Sequence, residues 1–205
     1  MRSCIIESSP EEQRTLTARW FCWPRYVGYS ILIFGRKRSY FPMQCFVGPD
    51  WPCMMITYCL ILIPSGLFLV YVASRIHIAV VAVTLATFLS TCCAFSVAAC
   101  SDPGIVYQVV EQKMLSKIDA IENGMPSGKR KECSKCDMLR PLDASHCYEC
   151  GVCIHNLDHH CPWTGKCIGK RTMPFFNFFL GSLCLHIILV AAVTIYFFAV
   201  SGSRA

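Results

Sequence analysis

Three long stretches without a charged side chain constrain the fold of this chain more than any other feature. They are residues 52–73, 78–100 and 175–200, and His186 is the one acidic or basic side chain within them. A helix needs about 20 apolar residues to cross a bilayer. A buried helix of a soluble core is the alternative, but three such stretches of 22 or more residues argue against it. Only 16% of the 205 residues are charged, against about 25% in soluble domains. The sequence therefore predicts an α-helical polytopic membrane protein with three transmembrane helices.

The distribution of lysine and arginine predicts the orientation of these helices. Residues 1–51 carry seven of the 19 basic side chains and residues 101–174 carry ten, whereas the short connection 74–77 and the tail 201–205 carry one each. Basic residues accumulate on the cytosolic side of membrane proteins. We therefore expect the N-terminus and the 101–174 loop to be cytosolic. With this topology the net charge of +6 requires no nucleic-acid partner, and the lipid bilayer is the expected surroundings.

The remaining chain divides by composition. We expect an N-terminal cytosolic and interfacial segment over 1–51, a transmembrane hairpin over 52–100, a cytosolic linker over 101–132 and a cysteine-rich domain over 133–174, followed by the third helix and a short tail. The pattern of residues 108–123 predicts a helix in the linker. Residues 26–35 are apolar but too short to span, and their pattern leaves open an interfacial segment or a short strand.

Seven of the 16 cysteines and four of the six histidines fall between Cys133 and Cys167. Two Cys-x2-Cys turns with an intervening histidine indicate metal binding, because such a turn lets two thiolates reach one zinc ion. Structural zinc takes four ligands. Eleven potential donors are too many for one ion, whereas two ions use eight and leave three. The spacing alone does not decide which donors share an ion.

The run Asp158-His159-His160-Cys161 carries a second kind of chemistry. Adjacent histidines on an extended backbone point to opposite faces, so one can bind zinc while the other faces a reaction centre. A cysteine with a histidine and a carboxylate forms an activated thiol nucleophile. The alternative is that Cys161 is itself a zinc ligand.

The stretch from Cys133 to Cys167 resembles the DHHC-type protein S-acyltransferases, or palmitoyltransferases. Their cysteine-rich domain reads Cys-x2-Cys-x9-His-Cys-x2-Cys-x2-Cys-x4-Asp-His-His-Cys-x5-Cys, and every spacing is met here. The Asp102-Pro103-Gly104 motif after the second predicted helix also matches, as does the place of the loop between the second and third helices.

The resemblance implies two interleaved structural zinc sites. One would be formed by Cys133, Cys136, His146 and Cys153, and the other by Cys147, Cys150, His160 and Cys167. A sequential division of the same ligands fits the spacing equally well. The three donors left over are His155, expected at the surface, His159 and Cys161.

The resemblance also implies a reaction. Cys161 would be the nucleophile, with His159 as base and Asp158 orienting its ring. The enzyme would transfer a palmitoyl group from palmitoyl-CoA to membrane-proximal cysteines of membrane-associated proteins, in the Golgi, endoplasmic reticulum or plasma membrane.

The sequence departs from the family pattern in three places. Thr172 stands where the family usually has asparagine, and Thr164, Gly165 and Lys166 replace a bulky residue and two asparagines. After the third predicted span, the family's fourth helix and Thr-Thr-x-Glu motif do not follow, so we expect an incomplete acyl cavity. The alternative function is therefore an impaired enzyme or a non-catalytic membrane adaptor built on a zinc module. A RING-like ubiquitin ligase is disfavoured, because no further Cys-x2-Cys pair follows Cys167.

Overall fold

The computed structural model describes residues 25–27, 30–34, 45–107 and 131–202. Its helices are α1 (Trp51–Tyr71), α2 (Ile78–Cys100) and α3 (Met173–Gly202), with 3-10 turns at Ala73–Arg75 and Pro162–Thr164. Its strands are β1 (Arg25–Val27), β2 (Ile31–Phe34), β3 (Cys45–Val47), β4 (Lys131–Cys133), β5 (Met138–Arg140), β6 (Ala144–Cys147), β7 (Val152–His155), β8 (His159–Cys161) and β9 (Lys166–Ile168).

Three helices in the described part of the chain are long and apolar enough to cross a membrane: Trp51–Arg75, Ile78–Cys100 and Met173–Val200. The prediction of a three-helix membrane protein with a cysteine-rich module between the second and third helices is confirmed. The third helix begins at Met173, two residues before the predicted start. The predicted helix over 108–123 lies outside the described residues, and the cytosolic orientation stays a prediction.

Short antiparallel strands precede the first helix. β2 pairs with both β1 and β3 to form a three-stranded sheet. Of the two interpretations of residues 26–35, the structure shows strands for Tyr26–Val27 and Ile31–Phe34.

The three membrane helices pack around aromatic side chains. The ring of Phe95 on α2 lies 4.6 Å from that of Tyr58 on α1 and 5.0 Å from that of Phe179 on α3, measured between centroids. Phe95 is fully buried. Helix α1 continues through Pro64, as membrane helices can where side-chain groups satisfy the backbone.

A polar contact joins all three helices deeper in the bundle. His186 of α3 is buried, and its Nε2 lies 3.0 Å from Ser65 Oγ of α1. Its Nδ1 lies 2.9 Å from Thr87 Oγ1 of α2. The Ser65 hydroxyl donates to the carbonyl of Ile61, so its oxygen remains an acceptor for the imidazole. Hydrogen bonds of this kind hold membrane helices together where no hydrophobic driving force acts between them.

The cysteine-rich module consists of three two-stranded hairpins, β4–β5, β6–β7 and β8–β9. Such short strands bury little apolar surface, and the buried interior is largely made of the cysteine side chains themselves. A module of this size depends on metal ions or disulfides for stability.

The segment after α2 fastens this module to the membrane helices. Asp102 Oδ1 accepts hydrogen bonds from the backbone amides of Gly104 and Ile105, and its Oδ2 accepts one from Arg171 Nη1 at 2.6 Å. Ile105 forms an antiparallel bridge with Ile154 of β7. The Asp102-Pro103-Gly104 motif therefore joins the end of α2 to the start of α3 across the module.

Gly169 lies where these segments meet, and its replacement is expected to destabilise the fold. A Cβ there would lie 2.5 Å from both Ile154 Cγ2 and the Pro103 carbonyl oxygen. Gly169→Ala should therefore lower the stability by about 1–3 kcal/mol through overpacking. Thermal unfolding in detergent micelles measures this loss. Gly181→Ala is the matched control, because its Cβ would have no neighbour within 4 Å. Equal stabilities of the two variants would contradict the packing.

Candidate zinc and thiol site

Four ligand residues converge between the β4–β5 and β6–β7 hairpins. They are Cys133, Cys136, His146 and Cys153, and their ligand atoms all lie within 4.8 Å of one another. His146 Nδ1 lies 3.2 Å from Cys136 Sγ, and the sulfurs of Cys136 and Cys153 are 3.7 Å apart. Tetrahedral zinc with bonds of about 2.3 Å to sulfur separates two sulfurs by about 3.8 Å. The donor set and its spacing fit zinc.

A second group forms between β6–β7 and the β8–β9 hairpin, from Cys147, Cys150, His160 and Cys167. His160 Nδ1 lies 3.5 Å from the sulfurs of Cys147 and Cys167 and 3.3 Å from that of Cys150. The sulfurs of Cys150 and Cys167 are 3.5 Å apart. This group also fits zinc. The structure thus brings the eight residues together in the interleaved sets and not in the sequential division.

A hydrogen bond between two of these thiols favours the thiolate form of one partner and disfavours that of the other, so the bond to Cys147 raises the pKa of Cys150 to about 12. The bond to Cys136 lowers the pKa of Cys153 to about 6. The bonds to Cys150 and Cys167 hold the pKa of Cys147 far below its ordinary value.

An aspartate from outside the module supports the second group. Asp50, at the N-terminal end of α1, has its Oδ2 2.7 Å from His160 Nε2, and the opposite ring nitrogen faces the three thiols. The carboxylate makes no capping bond to its own helix. A carboxylate that accepts the outer N–H of a zinc-binding histidine fixes its tautomer and raises its basicity. Sequence reasoning missed Asp50, because nothing local links it to a residue 110 positions away.

Removal of this carboxylate is expected to weaken the second zinc site alone. Asp50→Ala should raise the zinc dissociation constant of that site about 10- to 100-fold, while the first site keeps its affinity and serves as an internal reference. Competition with a coloured zinc chelator measures both. Asp143→Ala, which removes the surface partner of His155, is the matched control and should leave both sites unchanged. Unaltered zinc release from the Asp50 variant would contradict the role of the carboxylate.

The three remaining donors lie apart from both groups. His155 Nδ1 contacts the carboxylate of Asp143 at 3.1–3.2 Å, as expected of a surface residue. His159 and Cys161 lie on β8 with His160 between them. Alternation along the strand places His159 and Cys161 on one face and His160 on the other.

The face that carries His159 and Cys161 has the parts of an activated thiol. His159 Nδ1 lies 2.7 Å from Asp158 Oδ2, which leaves Nε2 as the nitrogen able to exchange a proton with a thiol. The His159 ring packs edge-on against Phe176 in the first turn of α3, with centroids 5.5 Å apart. Cys161 is 6% exposed. His159 therefore lies where the module meets a membrane helix.

The substituted positions have structural roles in this chain. Thr172 is buried, and its hydroxyl accepts from the Gly169 amide at 3.0 Å in the turn that starts α3. Gly165 adopts a positive φ of 79°. Its carbonyl accepts from the Asp50 amide at 3.3 Å. The Thr57 hydroxyl of α1 lies 3.0 Å from the carbonyl of Trp163. These contacts hold the β8–β9 turn against α1.

The fold and the site together define an integral membrane protein with a cysteine-rich module whose two ligand groups fit zinc, and with a thiol outside both groups. The family model described as "DHHC palmitoyltransferase" matches residues 127–204. The chain is 30% identical to palmitoyltransferase ZDHHC14 of Homo sapiens over 91% of its own length and 42% of that protein. It is 33% identical to palmitoyltransferase ZDHHC9 of Bos taurus over 51% of its length and 34% of that protein.

A plant protein is similar as well. The probable protein S-acyltransferase 7 of Arabidopsis thaliana is 30% identical over 68% of this chain and 38% of that protein. Residues 127–204, which include the cysteine-rich module and α3, belong to the DHHC palmitoyltransferase family. The chain spans between 34% and 42% of the length of these relatives.

Proposed function

We propose that this protein is a protein-cysteine S-palmitoyltransferase that works through an acyl-enzyme on Cys161. One observation carries the proposal. Cys161 is the module's one cysteine outside both four-residue ligand groups, and it shares a strand face with a histidine whose Nδ1 is bonded to a carboxylate. Neither His159 nor Cys161 belongs to a ligand group, and a histidine held by a carboxylate is the base that an activated thiol nucleophile uses.

In the first step, His159 takes the proton of the Cys161 thiol, and the thiolate attacks the carbonyl carbon of a fatty acyl-CoA. A free cysteine has a pKa near 8.5 and is mostly protonated at neutral pH, so the attack needs a base that can take the thiol proton. Asp158 orients the ring and stabilises its positive charge. The bond between the carbonyl carbon and the CoA sulfur then breaks. The departing thiolate takes the proton from His159 and leaves as CoA.

In the second step, His159 takes the proton of a cysteine on a protein substrate. That thiolate attacks the thioester on Cys161, and Cys161 leaves with the proton returned. The acyl chain thus passes from the Cys161 sulfur to the sulfur of the substrate cysteine, and no oxidant or further reactant is needed. Because Phe176 of α3 contacts His159, the substrate cysteine must come close to the membrane surface. This requirement supports membrane-associated proteins with a membrane-proximal cysteine as substrates.

Zinc, when bound, would supply the rigidity that the short hairpins lack. Each group offers four protein ligands, which fill a tetrahedral ion and mark a structural site. His160 alternates with the reactive pair on β8. Its fixation therefore orients His159 and Cys161 on the other face.

The positive-inside distribution supports a cytosolic N-terminus and a cytosolic module, where acyl-CoA is available. We propose the segment boundaries given above and an endomembrane or plasma-membrane location, Golgi, endoplasmic reticulum or cell surface, on the basis of family membership.

The function is tested with the purified chain in detergent and an alkyne-tagged palmitoyl-CoA. We expect about one tag per chain that neutral hydroxylamine releases, with an equal amount of CoA thiol formed. Addition of a cysteine-containing peptide anchored in the micelle should move the tag to that peptide. Absence of a tag, or a tag that resists hydroxylamine, would contradict the proposal and favour the adaptor alternative.

A further inference from the structure

A buried lysine that the reaction does not use lies directly across the hairpin from the reactive cysteine. In the β8–β9 register, Lys166 is the partner of Cys161. Residues paired in this way project from the same face with their Cβ atoms about 5 Å apart. The Lys166 side chain is fully buried. A buried lysine is costly unless its ammonium is hydrogen-bonded.

The amino group of Lys166 is hydrogen-bonded to the C-terminal end of α2. Lys166 Nζ donates to the carbonyl of Ala98 at 3.0 Å and also to that of Ala99. These carbonyls belong to the last turn of α2, where backbone oxygens lack helical partners and carry the negative end of the helix dipole. The contact therefore joins the amino group of Lys166 to the negative end of α2.

The aliphatic part of the Lys166 side chain is packed as closely as its amino group. A Cβ on Gly48 would lie 2.6 Å from Lys166 Cβ and 2.1 Å from the Gly165 carbonyl oxygen. The hydroxyl of Thr164 contacts the carbonyls of both Cys161 and Lys166 at 3.2 Å. A change at the ammonium is therefore transmitted along a closely packed strand pair to the backbone of Cys161.

We propose that Lys166 is a positioning residue that fixes the depth of the Cys161 thiol relative to the membrane helices by anchoring its partner strand to the C-terminal end of α2. This inference rests on the proposed acyltransfer. A thiol that must meet an acyl chain held at the membrane is sensitive to its depth, whereas a thiol that meets a soluble reagent is not. Misplacement of a reacting group by about 1 Å can cost about 100-fold in rate.

The test compares Lys166→Met with the matched control Lys170→Met, which removes an exposed lysine. We expect Lys166→Met to form the acyl-enzyme about 10- to 100-fold more slowly at saturating palmitoyl-CoA, with the half-saturating concentration unchanged. Lys170→Met should behave as the unmodified chain. Lys166→Arg, which keeps N–H donors for the same carbonyls but has a larger head, should recover part of the rate.

Two further measurements separate a positioning role from a structural one. Zinc content should remain two per chain in Lys166→Met, and iodoacetamide should alkylate Cys161 within about threefold of the normal rate, because a soluble reagent does not require the thiol at one depth. Normal acylation in Lys166→Met would overturn the inference, as would joint loss of zinc and acylation in Lys166→Met and Lys166→Arg. A complete lack of acyl-enzyme in the unmodified chain would instead contradict the proposed function itself.

Discussion

Replacement of Cys161 by alanine is expected to reduce the hydroxylamine-sensitive acyl label to background, a loss of several orders of magnitude. The reason is that, in the proposed reaction, the sulfur of this thiol is the atom to which the acyl group becomes attached. Because Cys161 belongs to neither ligand group, the variant should still bind two zinc ions per chain. In-gel detection of the tag, together with metal analysis of the same sample, measures both quantities.

The matched control for this experiment is Cys184→Ala, which removes an exposed cysteine of α3. It should label like the unmodified chain. A label that persists in Cys161→Ala would assign the acyl group to another residue. Loss of zinc in the same variant would indicate that Cys161 is a ligand, which is the alternative that the spacing left open.

Replacement of His160 by alanine should abolish acylation by another route, through loss of one zinc ion. The variant lacks one of the four ligands of the second group. Structural zinc contributes an apparent 10–16 kcal/mol to the folding of small zinc domains, so the β8–β9 hairpin should lose its fixed geometry. Metal analysis should give about one zinc per chain, and hydrogen exchange of β8 and β9 should rise.

His155→Ala is the control for this experiment. Its ring pairs with Asp143 at the surface, so zinc content and labelling should stay unchanged. If His160→Ala retained two tightly held zinc ions, the partition of ligands given above would be wrong. If His155→Ala lost one zinc ion, His155 would be a ligand, and the histidine outside the two ligand groups would be a different one.

The sequence predicted those features that depend on local rules. Bilayer thickness sets the length of a spanning helix, so three uncharged runs are enough to predict three spans. The alternation of side chains along a strand alone predicts that His159 and His160 lie on opposite faces. The spacing of the Cys-x2-Cys turns likewise predicts that the module binds metal.

The contacts that the sequence did not predict join segments far apart in the chain. Asp50 meets His160 across 110 residues, and Lys166 meets Ala98 and Ala99 across 67 or 68. Asp50 has no periodicity or motif around it, and Lys166 occupies one of the unspecified positions between Cys161 and Cys167. The sequence marks Lys166 only as a departure from the family pattern, and a buried lysine has no sequence signature that distinguishes it from an exposed one. Such contacts depend on how the module docks on the helix ends, which no local rule specifies.

The His186 contact has a consequence for how this bundle meets membranes of different thickness. A slide of α3 by one helical turn would move its ring by about 5.4 Å along the axis, which would break its bonds to Ser65 and Thr87 together. The helices therefore cannot adjust to a thinner or thicker bilayer by slipping past one another. A difference between the length of the apolar helices and the thickness of the bilayer has to be accommodated by tilting of the three helices as a unit or by deformation of the surrounding lipid. Tilting would carry the attached module with it, so bilayer thickness is expected to alter the angle at which the thiol faces the membrane surface.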